Sequence, residues 1–342
     1  MQTSPTIVFT AKPSVVRAEL WSASAQARAA QLGWDVRLNE CEANLSPSQW
    51  ADFIADADAV ITTWGAPRFD GEVLAKAEQL KIIGHAAGSV ANLVSDELYA
   101  RGIHVVGANV LMARSVAEWC LMMTLLAARR LTEYASLTGP DAPNTANRAR
   151  VRGMAEVTIG VWGFGDVVRH LLDMLAPLQP GPILVSDPYL SPEEAERRGV
   201  RKVDLDTLCR EADIVHTLTS LTEENLSGLD KRRLGMLCDG ATVINAGRAP
   251  LIEREAFLAE LESGRIDAVL DVHYREPVPQ GDAFAALRNV VMTPHCAGLG
   301  SRAKYVECVL DEFDRFFRGQ PLQHEISGAR ARSMTDSSLL RR

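Results

Sequence analysis

The stretch Val157-Thr158-Ile159-Gly160-Val161-Trp162-Gly163-Phe164-Gly165-Asp166-Val167-Val168 runs a short β-branched segment into two closely spaced glycines and then into a helical pattern. A strand that turns sharply at Gly163 and opens a helix at Gly165 is the first corner of a parallel sheet. The N–H groups at such a helix start form a ready anion site. A dinucleotide asks for a tight turn at the first glycine and close backbone approach to pyrophosphate at the second, and Gly163 and Gly165 meet both. The third position of G-x-G-x-x-G is Val168, so helix-to-strand packing there has to be looser or rearranged. Nineteen residues on, Asp187 closes the next strand, Ile183-Leu184-Val185-Ser186. An acid at that place receives ribose hydroxyls and repels a 2′-phosphate. Pro188-Tyr189 supply no adjacent cation, so NAD is favoured over NADP.

The same alternation extends in both directions. Upstream, strands are expected at Ile7–Thr10, Asp35–Leu38, Ala59–Thr63, Leu80–Ala86 and His104–Val106, with helices over Ser14–Leu32, Pro47–Ala55 and Asp70–Ala77. Downstream, strands fall near 182–186, 213–218, 242–246, 268–272 and 290–293, with helices near 165–176, 253–263 and 300–318. Residues 115–131 form the longest helical pattern, with Ser115 as its cap. That helix is apolar nearly all round and is therefore expected to be buried between units or subunits. Residues 138–153 have no period and read as a loop, and the polar stretch Ser327–Arg342 is expected to be disordered. The class is α/β: two parallel sheets with helices on both faces, the first recovering its closing helix from the C-terminal residues.

Composition narrows the function. The 342 residues are 47% hydrophobic and 23% charged, which excludes a disordered or low-complexity chain. The net charge of −8 comes without a concentrated basic segment, so no nucleic-acid partner is expected. The longest apolar run, Trp119–Ala128, is half a membrane span, and the first residues carry no basic-then-apolar signal. No membrane partner is expected. Six widely spaced cysteines without a C-x-x-C pair read as buried free thiols in a reducing compartment, with no metal site and a cytoplasmic location.

Three later strands end in chemistry-bearing residues: Val243-Ile244-Asn245-Ala246-Gly247-Arg248, Val269-Leu270-Asp271 running on to Glu276-Pro277, and Val291-Met292-Thr293-Pro294-His295. Doubly wound sheets place ligands at that edge, so an Arg, a Glu and a His can converge there. Arg248 has the planar fork of donors that holds a 2-oxo acid by its carboxylate and keto oxygen. His295 can exchange a proton with the developing alkoxide. Glu276 on the other imidazole nitrogen would orient the ring and stabilise imidazolium. His85 precedes a small-residue loop and is a further substrate-contact candidate, whereas Cys296 reads as packing.

With these residues in view, positions 80–330 resemble the D-isomer-specific 2-hydroxyacid dehydrogenases. The resemblance is carried by Leu80-Lys81-Ile82-Ile83, Val116-Ala117-Glu118, the glycine turn, Asp187-Pro188-Tyr189, and Ile244-Asn245 with Arg248. Leu270-Asp271-Val272 with Glu276-Pro277, and Thr293-Pro294-His295 with Gly298, complete it. It implies two Rossmann-like domains, with an NAD-binding domain (112–297) inserted into a substrate domain (1–111 plus 298–326). It implies Arg248, Glu276 and His295 as the catalytic trio. The cofactor would lie against Gly163, Phe164, Gly165, Asp166, Val167 and Asp187 on one side. Ala246, Asp271, His295 and Gly298 would meet it on the other, with Asp271 near the nicotinamide amide. Backbone N–H groups of Ala87, Gly88 and Ser89 would join Arg248 and His295 on the substrate. Family members are commonly homodimers built on the cofactor domain, a role the helix at 115–131 would suit.

The implied activity is NAD-dependent hydride transfer at C2 of a small anionic D-2-hydroxy or 2-oxo acid. An NAD(H)-sensing, corepressor-like protein on the same fold is the alternative from another class, and phosphite oxidation uses a similar Arg/Glu/His set. A formate dehydrogenase would carry Gln in place of Glu276. The sequence departs from the family pattern at Val168, at Gly107 where Asn is frequent, and at Ala91 where Asp is frequent. It departs again at Leu218 and Ser220, in place of His and Pro, and at His273-Tyr274 before Glu276.

Overall fold

The computed structural model describes residues 4–131, 133 and 151–341. Most of the loop expected at 138–153, up to residue 150, lies outside the described residues. The chain divides into two compact units: residues 1–112 with 299–337, and residues 113–298 with 338–342.

The first unit is built on β1 (Ile7–Phe9), β2 (Val36–Leu38), β3 (Ala59–Thr62), β4 (Ile82–His85) and β5 (His104–Gly107), in the order β2-β1-β3-β4-β5. All pairings are parallel. Strands β1, β3 and β4 are buried along their whole length, which is why they read as unbroken apolar runs instead of alternating ones. One face is closed by the helix Tyr305–Phe317, whose Val309 and Phe313 join Ile7, Phe9, Ile61 and Ile82 in one core. The helix sits so close to β4 that a Cβ on Gly84 would collide with Val309 and Phe313.

Local side chains redraw several boundaries. The helix expected over Ser14–Leu32 is two, Val15–Leu20 and Ala23–Leu32, because Ser22 adopts an extended conformation and its hydroxyl accepts the Ala25 N–H at 3.3 Å. Asp70–Ala77 is a run of turns, not a helix. The Asp70 carboxylate takes the N–H groups of Glu72 and Val73, offering the backbone an alternative to helical bonds.

The second unit holds β6 (Ile159–Trp162), β7 (Ile183–Ser186), β8 (Arg201–Lys202), β9 (Ile214–Thr217), β10 (Thr242–Asn245), β11 (Asp267–Leu270) and β12 (Val290–Met292). They lie in the order β12-β11-β10-β9-β6-β7-β8, again all parallel. Strand order reverses at β6, which pairs with both β7 and β9, so the ligand crevice of a doubly wound sheet opens beyond its C-terminal end. Val168 is fully buried with Ile159, Val161 and Val185, filling the place where a third glycine would bring helix and strand closer.

The long apolar helix runs Asn109–Ala128. It begins six residues before Ser115, which is buried within the helix instead of standing at its N-terminal end. By length and composition it could cross a membrane, but Ala117, Cys120, Met123 and Ala127 are buried in the second unit's core. Within that core Thr124 donates its hydroxyl proton to the Cys120 carbonyl at 2.7 Å. Its oxygen therefore accepts Nε2–H of His216 at 2.9 Å, leaving His216 Nδ1 buried without a partner. Burial holds this imidazole neutral and pulls its pKa down to about 3.

Two further expectations are corrected. Residues 327–341 are ordered. Ser327 caps a helix at Gly328–Arg332, Ala331 is buried in the first unit's core and Leu339 in the second's. Single apolar anchors within a polar stretch left no period to read. Of the six cysteines, Cys120 and Cys209 alone are buried; Cys41, Cys296 and Cys308 are partly exposed and Cys238 is exposed, all as free thiols. Spacing indicates pairing but not depth.

Candidate active site

The glycine turn follows β6 directly. Gly163 takes φ +111°, and a Cβ there would lie 2.7 Å from the Leu218 backbone, so both conformation and packing require glycine. Gly165 has an ordinary negative φ and a Cβ there would meet nothing within 4 Å. It starts the helix Asp166–Leu175, and no side chain caps that end. Open space before uncapped N–H groups is the cradle a pyrophosphate fills, so these residues fit the NAD expected from the sequence. Asp187 ties the turn to the end of β7: its Oδ2 accepts the Phe164 N–H at 2.8 Å and its Oδ1 the Tyr189 N–H at 2.7 Å. A carboxylate offers about four lone-pair sites, so acceptor capacity remains for ribose hydroxyls. Asp166 places a negative charge at the helix start, and Arg169, one turn on, reaches back to it at 3.4 Å while lying over the Phe164 ring.

Three neighbouring strand ends carry the remaining groups. After β10, the buried Asn245 shapes its own turn by accepting the Gly247 N–H at 3.0 Å and donating to the Arg248 carbonyl at 3.1 Å. The Arg248 guanidinium donates to the Gly247 carbonyl at 2.6 Å. It keeps some exposed surface yet is closely surrounded by protein, so burial lowers its pKa while the Glu276 carboxylate opposes the shift. Ala246, between them, is half-buried against the core.

After β11 comes Asp271, 1% exposed. Its Oδ1 accepts Thr293 Oγ1–H at 2.5 Å and the Cys296 N–H at 2.9 Å, and its Oδ2 accepts the Ala297 N–H at 2.9 Å. This carboxylate thus folds the segment after β12 around itself. Within that segment the His295 N–H donates to the Thr293 carbonyl at 2.9 Å, and His295 takes φ +51°, a conformation unusual for a residue with a Cβ. The result presents the imidazole to Glu276, whose Oε2 accepts His295 Nδ1–H at 2.8 Å. Glu276 Oε1 accepts the His273 N–H at 3.0 Å, which fixes the carboxylate in turn. With Nδ1–H given to Glu276, Nε2 is the nitrogen left for proton exchange. Both side chains remain partly exposed, His295 at 45% and Glu276 at 38%.

His273 stood out in the sequence only as a departure from the family pattern, with no role assigned to it. Its Nε2–H donates to the Thr293 carbonyl at 2.8 Å, bracing the His295 turn from a second side. Its position two residues beyond Asp271 was the available signal. Cys296 has its pKa raised by burial and by Asp271, which leaves the thiol protonated beside the turn. Gly298 is the last residue of this part of the second unit.

In the first unit, β4 ends at His85, and the loop 86–90 follows. Ala86 and Ala87 are buried, Gly88 and Ser89 partly exposed. His85 is buried beneath this loop, with Nδ1 2.9 Å from Thr62 Oγ1, and burial lowers its pKa to about 4. Ser89 donates to the Thr335 carbonyl at 2.8 Å.

Residues 121–297 match the family model described as D-isomer specific 2-hydroxyacid dehydrogenase, NAD binding domain. The D-3-phosphoglycerate dehydrogenase of Archaeoglobus fulgidus is 32% identical over 241 residues, 67% of this chain and 44% of that protein. The glyoxylate/hydroxypyruvate reductase B of Escherichia fergusonii is 28% identical, over 81% of this chain and 87% of that one. The chain spans about half the length of the first two phosphoglycerate dehydrogenase relatives it matches. Among solved structures, a phosphoglycerate oxidoreductase from Rhizobium etli superimposes with a TM-score of 0.77 at 25% identity, covering 94% of this chain and 98% of that one.

Proposed function

Because the chain belongs to the D-isomer specific 2-hydroxyacid dehydrogenase family, we propose that it interconverts a small D-2-hydroxy acid and its 2-oxo acid with NAD. The observation that carries this reading is the 2.8 Å hydrogen bond from His295 Nδ1 to Glu276, on adjacent strand ends beside Arg248. When bound, NAD accepts or supplies the hydride at its nicotinamide C4. Arg248 holds the substrate carboxylate and draws electron density from the C2 oxygen. His295 Nε2–H gives its proton to that oxygen as the alcohol forms, and takes one in the reverse direction. Glu276 keeps the ring in the productive tautomer and carries the charge that offsets imidazolium. Asp187 receives the adenosine ribose and disfavours a 2′-phosphate. The backbone of Ala87, Gly88 and Ser89 supplies further donors to the substrate carboxylate.

The test is NADH oxidation with a panel of glyoxylate, hydroxypyruvate, pyruvate and phenylpyruvate. Turnover with one or more is expected. Tight NADH binding without turnover of any would overturn the reading for these acids. The half-exposed apolar residues Leu121, Leu125 and Leu126, together with Met122 at 53% exposure, further support a homodimer through the second unit. Light scattering at micromolar concentration should give twice the chain mass of 37.3 kDa. A cytoplasmic location accords with the free thiols.

A further inference from the structure

The loop proposed to meet the substrate carboxylate is held by residues almost at the other end of the chain. Ser89 Oγ–H donates to the Thr335 carbonyl at 2.8 Å, and the same oxygen accepts the Ala91 N–H at 3.2 Å. Asn92 uses both ends of its amide: Nδ2 donates to Asp336 Oδ1 at 2.8 Å, while Oδ1 accepts the Ser337 N–H at 2.7 Å and its hydroxyl at 2.8 Å. The C-terminal segment is itself fixed. Ile326 pairs with Val105, the Tyr99 hydroxyl donates to the Ile326 carbonyl, and Arg332 meets Asp96. The loop is Ala86-Ala87-Gly88-Ser89-Val90-Ala91, with little side-chain bulk of its own to define where its N–H groups point. A backbone rich in Gly and Ala needs an outside support, because its conformational freedom otherwise opposes a single geometry.

We propose that residues 335–337 are a positioning strap for this loop, with Asn92 as the clasp, so that the N–H groups of Ala87–Ser89 are aimed at an anionic substrate before it arrives. This rests on the substrate reading above. Asn92 touches no reacting group and acts through the loop. The expected signature is therefore a weaker hold on the 2-oxo acid with unchanged chemistry.

The experiment uses the full chain. Asn92→Ala should raise KM for the best acid of the panel about tenfold, the scale of one or two lost hydrogen bonds, with kcat and NADH affinity within about twofold. Asn92→Asp should do the same by setting a carboxylate against Asp336, and adding Asp336→Asn should restore KM by reversing donor and acceptor. A KM unmoved by Asn92→Ala, or no rescue in the double variant, overturns the strap. Hydrogen exchange of residues 86–92 gives a reading independent of turnover. Faster exchange in Asn92→Ala supports the strap, and unchanged exchange overturns it. Faster exchange in a protein that reduces none of the acids keeps the strap and overturns the substrate reading alone.

Discussion

The turn that carries His295 and the loop Ala87–Ser89 are both strand-end backbones held from behind by one planar side chain, yet the two supports are unlike. Asp271 is a carboxylate, 1% exposed, that gathers three donors from a short segment of its own unit. Asn92 is a neutral, exposed amide whose partners lie some 245 residues away in sequence. A buried charge that loses its donors is expensive, so the first support is rigid and intolerant of change. Exposed hydrogen bonds exchange readily with water, even where one partner is a carboxylate, so the second can be altered at a smaller cost in stability. The turn bearing His295 is thus fixed tightly, while the Ala87–Ser89 backbone is open to adjustment.

His295→Ala should give the largest effect and break the contrast at its centre: kcat should fall by ~100-fold or more, with NADH binding nearly unchanged. A surviving kcat in steady-state assays would move the proton to another group. Asp271→Ala should come next. Leaving Thr293 Oγ–H and two backbone N–H groups unsatisfied should cost about 3 kcal/mol of stability or more, seen as a lowered Tm. The loosened turn should also cost roughly tenfold or more in kcat. An unchanged Tm would put Asp271 on a level with Asn92 and erase the difference between the supports. Asp187→Ala tests the third strand end. NADH Kd should rise about tenfold, on the scale of a lost charged hydrogen bond, and discrimination against NADPH should relax. Fluorescence titration with both cofactors would show it, and an unchanged preference would remove Asp187 from the ribose site.

The smallest effect concerns acid. His85, buried at the end of β4 just before the loop 86–90, has a folded pKa of about 4 against an ordinary 6.5. Between these values the unfolded chain binds a proton that the folded chain refuses. Stability is therefore full above 6.5 and falls as pH drops towards 4, by about 1.4 kcal/mol per pH unit for this one group. His85→Gln should flatten that slope by one proton in thermal unfolding from pH 7 to 4.5. The buried His216 keeps its own contribution in either case.

The α/β alternation and the strand ends were legible because buried parallel strands are continuous apolar runs, and because Gly163, Arg248, Glu276 and His295 each follow closely on the end of one. The ends of β11 and β12 are adjacent, and Glu276 and His295 meet there at 2.8 Å. What sequence did not disclose depends on single side chains competing for backbone groups. Ser22 splits one helix, Asp70 dissolves another, and His273 braces a turn across 20 residues. Asn92 and Ser337 were invisible for a different reason: neither lies in a periodic segment, and their pairing is purely tertiary. The strand Arg201–Lys202 is two exposed, charged residues that carry no apolar signal.

The closeness of Gly84 to the helix Tyr305–Phe317 also sets a timetable. The strand bearing Gly84 leaves the ribosome roughly 225 residues before Val309, an interval of about 10–45 s at ~5–20 residues per second. Throughout it, the sheet face of Ile7, Ile61 and Ile82 lacks its closing helix and has Leu20, Ala25 and Ala29 of the two N-terminal helices as partial cover. Meanwhile residues 113–298 emerge contiguously and can close their core with only Leu339 outstanding. Translation order therefore makes residues 113–298 the early folder. The first-synthesised sheet becomes the late one, and it is the surface for which a chaperone would have the most use.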